Sequence, residues 1–342
     1  MHNSAYLMIR YITFSFLLII VLFGSPLSVA QTISTPANYQ IRFDEPYNIK
    51  RLFAHFQPLY GEVASSNMSI GFGVEFDYFL ENKMDFSLQF RKSYGQATDL
   101  MRDAAIKNAE NTLKPKSYKY LELGGTYHWR DFEEEKPTKV FLYKKQYKGT
   151  ALSSHVIQTT DVVSKVRKIY GGRLGGFFHT TTFDLNRAME KQSTVLADSE
   201  GNPIDTDASL FGNLSTAGLY FGASMTWIRN FAVDFEEDYE PGGDDLLLTT
   251  FFDILAAPSV NVDDVLYNGV NYSSSSLKRS KIGFRLGAEG KFNRELGWGY
   301  GVEIGIRPGV SKQGFFSVLK LSFPIYTTDL KYSKVESVEM DE

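Results

Sequence analysis

From Gln31 onward the chain is built of segments in which apolar and polar residues alternate one by one. In Met68–Phe79, Ile70, Phe72, Val74, Phe76 and Tyr78 fall on one face, and Ser69, Gly71, Gly73, Glu75 and Asp77 on the other. A period of two marks a strand whose two faces meet different surroundings. The four turn residues 80–83 follow, and alternation resumes with Met84, Phe86, Leu88 and Phe90 against Asp85, Ser87, Gln89 and Arg91. Two such runs joined by a short polar turn predict an antiparallel hairpin. The pattern recurs in 120–130, 217–227, 282–292, 298–307 and 314–325, and more weakly in 51–60, 139–147, 162–170, 173–183 and 246–257. The expected fold is all-β, with about 10–12 strands of roughly 9–13 residues, the length a tilted strand needs to cross a bilayer core. Reading Gly171-Gly172 as a tight turn keeps short and long connections alternating.

The first thirty residues are different. Arg10 precedes Tyr11–Phe23, an unbroken, mostly apolar run; Gly24 and Pro26 end it, and Ser28-Val29-Ala30 places small residues before Gln31. This is the pattern of a cleaved secretory signal peptide, and the run is shorter than the roughly 20 residues of a spanning helix. No second long apolar run follows it. The chain is therefore expected to be exported, either as a soluble β protein or as a barrel that crosses a membrane with strands.

The polar faces separate these two. They are made of Gly and Ser punctuated by charges of both signs: Glu75, Asp77, Arg91, Glu122, Arg285, Glu289, Glu303 and Arg307, with His128 among them. Small residues with opposite charges suit the crowded lumen of a narrow barrel, where side chains from every strand converge. The apolar faces end in Tyr78, Tyr127, Trp129, Trp227, Trp298 and Tyr300, as the interfacial girdle of a membrane barrel does. With these features the chain resembles a single-chain bacterial outer-membrane β-barrel protein. The resemblance is one of architecture and covers nearly all of the chain after the signal. It implies an antiparallel transmembrane β-barrel in the outer membrane, bathed in outer-membrane lipid, with both termini on the periplasmic side. The expected organisation is a signal peptide (1–30), an N-terminal periplasmic segment (31–50), the barrel (51–325) and a polar C-terminal tail (326–342). One departure stands out: such barrels often end on an aromatic residue, whereas here Phe323 and Ile325 are followed by that tail. Either the assembly signal is internal, at Phe323, or the last strand lies elsewhere.

Composition narrows the chemistry. With no cysteine there is no disulfide, no thiolate metal site, no cysteine nucleophile and no lipoprotein anchor. A net charge of −4 lacks the basic field of a nucleic-acid binder. Asp198-Ser199-Glu200-Gly201-Asn202 looks like part of a calcium loop, but its glycine is misplaced and Ser209 stands where a bidentate Glu belongs, so a turn is expected. Glu236, Glu237, Asp238, Glu240, Asp244 and Asp245 flank Pro241-Gly242-Gly243 and read as a solvated acidic turn. His55, His128, His155 and His179 have no metal-ligand spacing, and no nucleophile elbow, phosphate loop or dinucleotide fingerprint occurs. No catalytic residue, metal or cofactor is expected. The stretch 96–116 carries a candidate short helix at 99–113; 184–213 and 257–278 read as exposed polar loops.

The function expected is that of a non-enzymatic outer-membrane barrel with a narrow, charged lumen. It would serve in small-solute passage, surface binding or envelope assembly, with an envelope partner meeting its loops or C-terminal tail. The alternatives are a membrane-embedded hydrolase or acyltransferase using His128 with a serine and an acid, and a soluble periplasmic β protein that binds an apolar ligand.

Overall fold

The computed structural model describes residues 33–34, 36–80, 83–143, 158–236, 239–294 and 298–330. The expected signal peptide, Glu81, Asn82, His155, Glu237, Asp238 and the tail beyond residue 330 lie outside them. The chain divides into two compact units: a larger one of 48–132, 168–228 and 246 onward, and a smaller one of the residues up to 47, 133–167 and 229–245.

Ten long strands run through the chain: β1 (Leu52–Ala64), β2 (Met68–Leu80), β3 (Met84–Ser93), β4 (Lys119–Phe141), β5 (Gln158–Asp184), β6 (Phe211–Ile228), β7 (Leu246–Val262), β8 (Ile282–Phe292), β9 (Gly299–Ile306) and β10 (Phe315–Thr327). Their order in the sheet is β5-β4-β3-β2-β1-β10-β9-β8-β7-β6, and β5 also pairs with β6. The sheet is a closed antiparallel barrel. Closure leaves no strand edge without a partner, the condition for backbone polar groups to survive in lipid. β10 joins β1 from Phe316↔Ala64 to Thr327↔Phe53, so the last strand is the one that holds Phe323. β1 begins and β10 ends at one end of the barrel, here the terminal end; the other is the loop end.

The alternation in the sequence becomes an inside and an outside. Leu123 (62% exposed), Leu219 (59%) and Ile282 (69%) face out, with Ile70, Phe76, Leu286 and Phe323 also exposed. Their strand neighbours Glu75, Glu122, Tyr220 and Arg285 face in and are buried.

Two expectations are corrected. Gly171-Gly172 is no turn: it lies within β5, and the segments 162–170 and 173–183 are one strand of 27 residues. Likewise 120–130 and 139–141 are not separate strands, because β4 runs unbroken through Lys119–Phe141, 23 residues; 144–147 of the expected segment lie outside the described residues. The glycines answer a packing need. A Cβ on Gly171 would meet the Thr126 side chain at 2.2 Å. Further along, the ring of Tyr220 lies on the backbone of two strands: a Cβ on Gly124 would sit 1.8 Å from its hydroxyl, and one on Gly175 2.5 Å from its ring. Glycine here makes room for an inward aromatic ring, as strand glycines commonly do.

The loop end is closed by packed chain rather than by exposed polar loops, which corrects the reading of 184–213 and 257–278. Helix α1 (Leu100–Asn108) falls inside the expected 99–113. Helix α2 (Leu185–Gln192) follows β5 directly and buries Leu185, Ala188 and Met189. With Leu196, Ile204, Ala208 and Leu210 from the following segment they join one core with Tyr60, Tyr118, Phe183, Leu214 and Leu255. Val262, Val265, Tyr272 and Leu277 complete it from the other side. Overall apolar content was low enough to suggest a loop. The spacing 185, 188, 189, one helical stripe, is what puts those few residues to use.

The smaller unit contains an antiparallel sheet in the order 242–244, 231–235, 39–44. Val140, Leu142, Val162, Phe231, Val233, Phe235 and Tyr239 form its core. Arg42 forks onto Asp234 at 3.0 and 2.5 Å, and the Lys165 backbone N–H donates to Asp44 at 2.9 Å. Part of the expected periplasmic segment 31–50 is thus a strand of a folded sheet.

Replacing Gly124 with Val should lower the temperature at which the folded gel band is lost, because overpacking against Tyr220 costs about 1–3 kcal/mol. Gly61→Val, where a Cβ meets nothing within 4 Å, is the control and should leave that temperature unchanged.

Candidate functional site

The candidate site is the barrel interior. Near the loop end, Arg307 forks onto Glu62 at 2.8 and 3.1 Å, and the Tyr118 hydroxyl donates to the same carboxylate at 2.5 Å. Halfway down, Arg285 forks onto Glu122 at 2.5 and 2.7 Å and reaches Asp253 at 2.9 Å. Arg173 donates to the other oxygen of Asp253 at 3.0 Å, and Arg91 to Glu303 at 3.1 Å. Tyr120 donates to Glu122. These guanidiniums lie over rings: Arg91 4.4 Å from the Tyr120 centroid, Arg173 4.1 Å from Phe251, Arg285 4.7 Å from Tyr220 and Arg307 4.2 Å from Phe316. A planar cation that both forks and stacks can be satisfied without water.

Towards the terminal end the cations are lysines. Lys320 donates to Glu289 at 2.6 Å and to Glu75 at 3.2 Å. Lys291 bridges Glu75, at 2.6 Å, and Asp77. Gln57 donates to Glu75 at 2.7 Å and Gln89 to Glu289 at 3.3 Å. His128 pairs its Nε2 with Asp85 at 2.9 Å.

Between the two groups lies a polar cavity of about 50 Å³. Its upper wall is Glu122, Arg173, Arg285 and Glu303; Ser87, Thr126, Ser224, Thr226 and Thr249 give hydroxyls to one side, and Glu289 and Lys291 charges to the other. Towards the terminal end Phe79, Asp85 and Leu247 line it. A single water needs roughly 10–15 Å³ of such space, so the cavity suits a short file of waters or a solute of a few heavy atoms.

Of the nine interior residues singled out from sequence, eight are buried: Glu75, Asp77, Arg91, Glu122, His128, Arg285, Glu303 and Arg307. Glu289 is half-buried at the cavity wall. The structure gathers all nine in one interior, together with Glu62, Arg173, Asp253 and Lys320, which pattern reading passed over. Asp253 and Arg173 sit in strands with apolar residues on both faces: Phe251 and Leu255 point inward beside Asp253. Alternation is blurred there. A clue remains in the surplus of inward carboxylates: Glu75, Asp77, Glu122, Glu289 and Glu303 outnumber Arg91, Arg285 and Arg307 and call for further cations such as Lys320.

The six girdle aromatics lie on the outer face. Tyr78, Tyr127 and Trp129 are exposed, and Trp227, Trp298 and Tyr300 half-buried. The registers Tyr78↔Phe86, Met84↔Tyr127, Leu248↔Trp227 and Gly290↔Tyr300 place them in the terminal half. The loop end has its own outward aromatics, Tyr94, its ring tilted against Phe72 at 5.5 Å, and Phe315.

The remaining candidates have local explanations. Asp198 accepts from the backbone N–H groups of Glu200 (2.9 Å) and Asn202 (2.8 Å) and from the Asn202 side chain (3.0 Å), a turn around its own carboxylate. The Asn202 bond holds that carboxyl below its ordinary value of 3.8. The stabilisation is complete at neutral pH and fades as pH falls through the acid range. In the acidic cluster, Asp244 is paired with Arg229 at 2.9 Å. Among the described residues no three potential ligands gather to hold a metal. His128 Nδ1 and His179 Nδ1 are buried without a hydrogen-bond partner, and His55 makes a long contact with Ser322 at 3.3 Å.

This architecture is that of a single-chain outer-membrane β-barrel protein. No protein-family model and no curated protein matches the chain. Among solved structures it is similar to the P. putida toluene transporter TodX, at 10% identity and a TM-score of 0.21, over 87% of this chain and 92% of that one. It is also similar to a TodX deltaS2S3 mutant monoaromatic hydrocarbon channel, at 10% identity and a TM-score of 0.19, over 89% and 94%. TM-scores this low do not superpose two folds, and the barrel's own geometry carries the reading.

Replacing Arg307 with Met should destabilise the folded barrel by about 3–5 kcal/mol, because Glu62 is left charged and buried. Adding Glu62→Gln should recover most of that loss. Urea unfolding in lipid vesicles measures both; equal losses in the single and double variants would show that the pair is not coupled.

Proposed function

We propose that the chain resides in the bacterial outer membrane as a non-enzymatic barrel in small-solute passage. The observation that carries this is the contrast between an apolar outer face and an interior holding a polar, incompletely filled cavity. Lipid suits the first. The second is a place for a small, hydrogen-bonding solute: hydroxyls on one wall and charges on the other offer donors and acceptors, with Phe79, Leu247 and Phe251 as the apolar part of the lining. The ion pairs that cross the lumen argue against a wide general porin. The signal peptide would direct export, and the loop surface or the C-terminal tail would meet an envelope partner.

The enzyme reading is the weaker one. Asp85 occupies His128 Nε2, and no serine hydroxyl is hydrogen-bonded to the ring among the described residues. A nucleophile needs such a bond to be activated.

Two measurements test the proposal. The protein should fractionate with outer membranes, need detergent for extraction and migrate differently on gels before and after heating. Recovery in the soluble periplasmic fraction would overturn the location. Reconstituted vesicles should admit solutes of a few heavy atoms, such as urea or glycine, faster than protein-free vesicles, and should exclude a disaccharide. Equal rates with and without protein would refute passage and leave surface binding or assembly; phospholipid hydrolysis by the purified protein would refute the non-enzymatic reading.

A further inference from the structure

The largest part of the packed chain at the loop end is one segment, residues 185–210, that joins β5 to β6 and is built as a unit. At its base Asn186 ties the two ends together: its side-chain amide donates to the Thr206 and Ala208 carbonyls, each at 2.9 Å, and its oxygen accepts from the Leu210 N–H at 2.7 Å. Inside the segment Ile204 donates to the Leu196 carbonyl at 2.9 Å. Its apolar face, Leu185, Ala188, Met189, Leu196 and Leu210, rests on inward side chains of the barrel wall. The helix ends at Ser193, whose φ of 52° turns the chain back.

At the base one neighbouring loop is tied in: Glu110 donates its backbone N–H to the Ser209 carbonyl at 3.0 Å, and its carboxylate accepts from the Ser209 N–H at 3.1 Å, beside the hinge. Away from the base the polar ties to neighbouring loops are few. Gln192 is the main one. Its side-chain nitrogen donates to the Lys278 carbonyl at 3.1 Å and the Ser311 carbonyl at 3.2 Å, and its oxygen accepts from the Lys278 N–H at 2.7 Å. One buried amide thereby joins α2 to the connections β7–β8 and β9–β10. Lys191 and Lys312 exchange bonds, each ammonium donating to the other's backbone carbonyl, at 3.3 and 2.6 Å. Ala197 bridges Ser273, whose N–H donates to the Ala197 carbonyl at 3.2 Å.

We infer that residues 185–210 are a lid, hinged at the ends of β5 and β6 and latched by Gln192, whose release exposes the lumen at the loop end. A segment stapled to itself at its base, docked by one apolar face and tied to neighbouring loops by a handful of polar bonds, can move as one body. Such a body opens at lower cost than the strands it covers. Tyr118 shares the segment's core and donates to Glu62, which Arg307 forks onto; on β6, Thr216 is fully buried with its hydroxyl unpartnered, and these polar groups match the class of solute proposed above. The inference rests on the passage reading for its purpose but not for its test.

The absence of cysteine makes the test clean. Thr216→Cys places a single thiol on the inward face of β6, two residues beyond Leu214 of the lid's core. In the full chain, folded in lipid vesicles, its reaction with a small water-soluble thiol reagent should be slow. Gln192→Ala should speed it about tenfold or more, since three backbone groups lose their partner. Ala197→Cys with Ser273→Cys, at bridged positions within disulfide reach, should lock the lid when oxidised. The lock should suppress labelling even in the Gln192→Ala background, with recovery on reduction. Unchanged rates in the Gln192→Ala variant, or fast labelling that the lock does not slow, would overturn the lid. The heat-modifiable gel shift confirms that each variant is folded. Solute uptake reports separately: faster labelling without uptake refutes passage and leaves the lid standing.

Discussion

Everything inside this barrel follows from the need to neutralise charge where bulk water does not reach. Ten strands close a lumen so narrow that side chains from opposite walls meet. Each inward carboxylate must therefore find a cation from another strand, because an unpaired buried charge costs several kcal/mol. Glu303 meets Arg91 and Glu122 meets Arg285, partners more than 160 residues apart in the chain. The pairing fixes which strands face which. It also explains the aromatic rings: Tyr120, Tyr220 and Phe251 fill the space between guanidiniums and stack on them.

The same need sorts the two kinds of cation. Arg91, Arg173, Arg285 and Arg307 occupy the loop-end and middle levels and stack on ring faces; Arg285 and Arg307 also fork, while Nε and Nη1 of Arg91 are buried without a hydrogen-bond partner. The lysines Lys291 and Lys320 lie nearer the terminal end, each shared between two carboxylates. An ammonium is a compact, strongly hydrated charge, and Lys291 lines the polar cavity, as Arg173 and Arg285 do from its other wall. The interior is sealed by apolar contact at the loop end, holds ion pairs and the polar cavity in the middle, and meets a second apolar cluster, Phe53, Ile169, Ile228 and Leu247, towards the terminal end.

The outer surface answers to lipid rather than to charge. Its residues need only be apolar, and aromatic where the bilayer gives way to water. This is a weak demand, satisfied by many sequences. The inner surface makes a strong demand, since each charge is tied to a particular partner. Specificity of fold and of function both reside there and in the connections that close it.

Pattern alone was enough to assign the sides of the strands. A period of two decides which residues share a face, so Glu75, Glu122, Arg285 and Glu303 were legible as interior and Tyr78, Trp129 and Trp227 as outward before any coordinate was known. Three things were not. The length of β4 and β5 was hidden, because Gly171-Gly172 reads as a turn unless one sees that glycine there avoids Thr126. The partners of the interior charges were hidden, because pairing depends on the order in which strands close, and alternation carries no record of it. The lid was hidden most completely: its apolar residues are few, and only docking against Tyr118, Phe183 and Leu255 makes them a core. Local periodicity is a property of neighbouring residues and survives in the sequence. Closure, pairing and docking join residues far apart in the chain, and only the tertiary structure decides them.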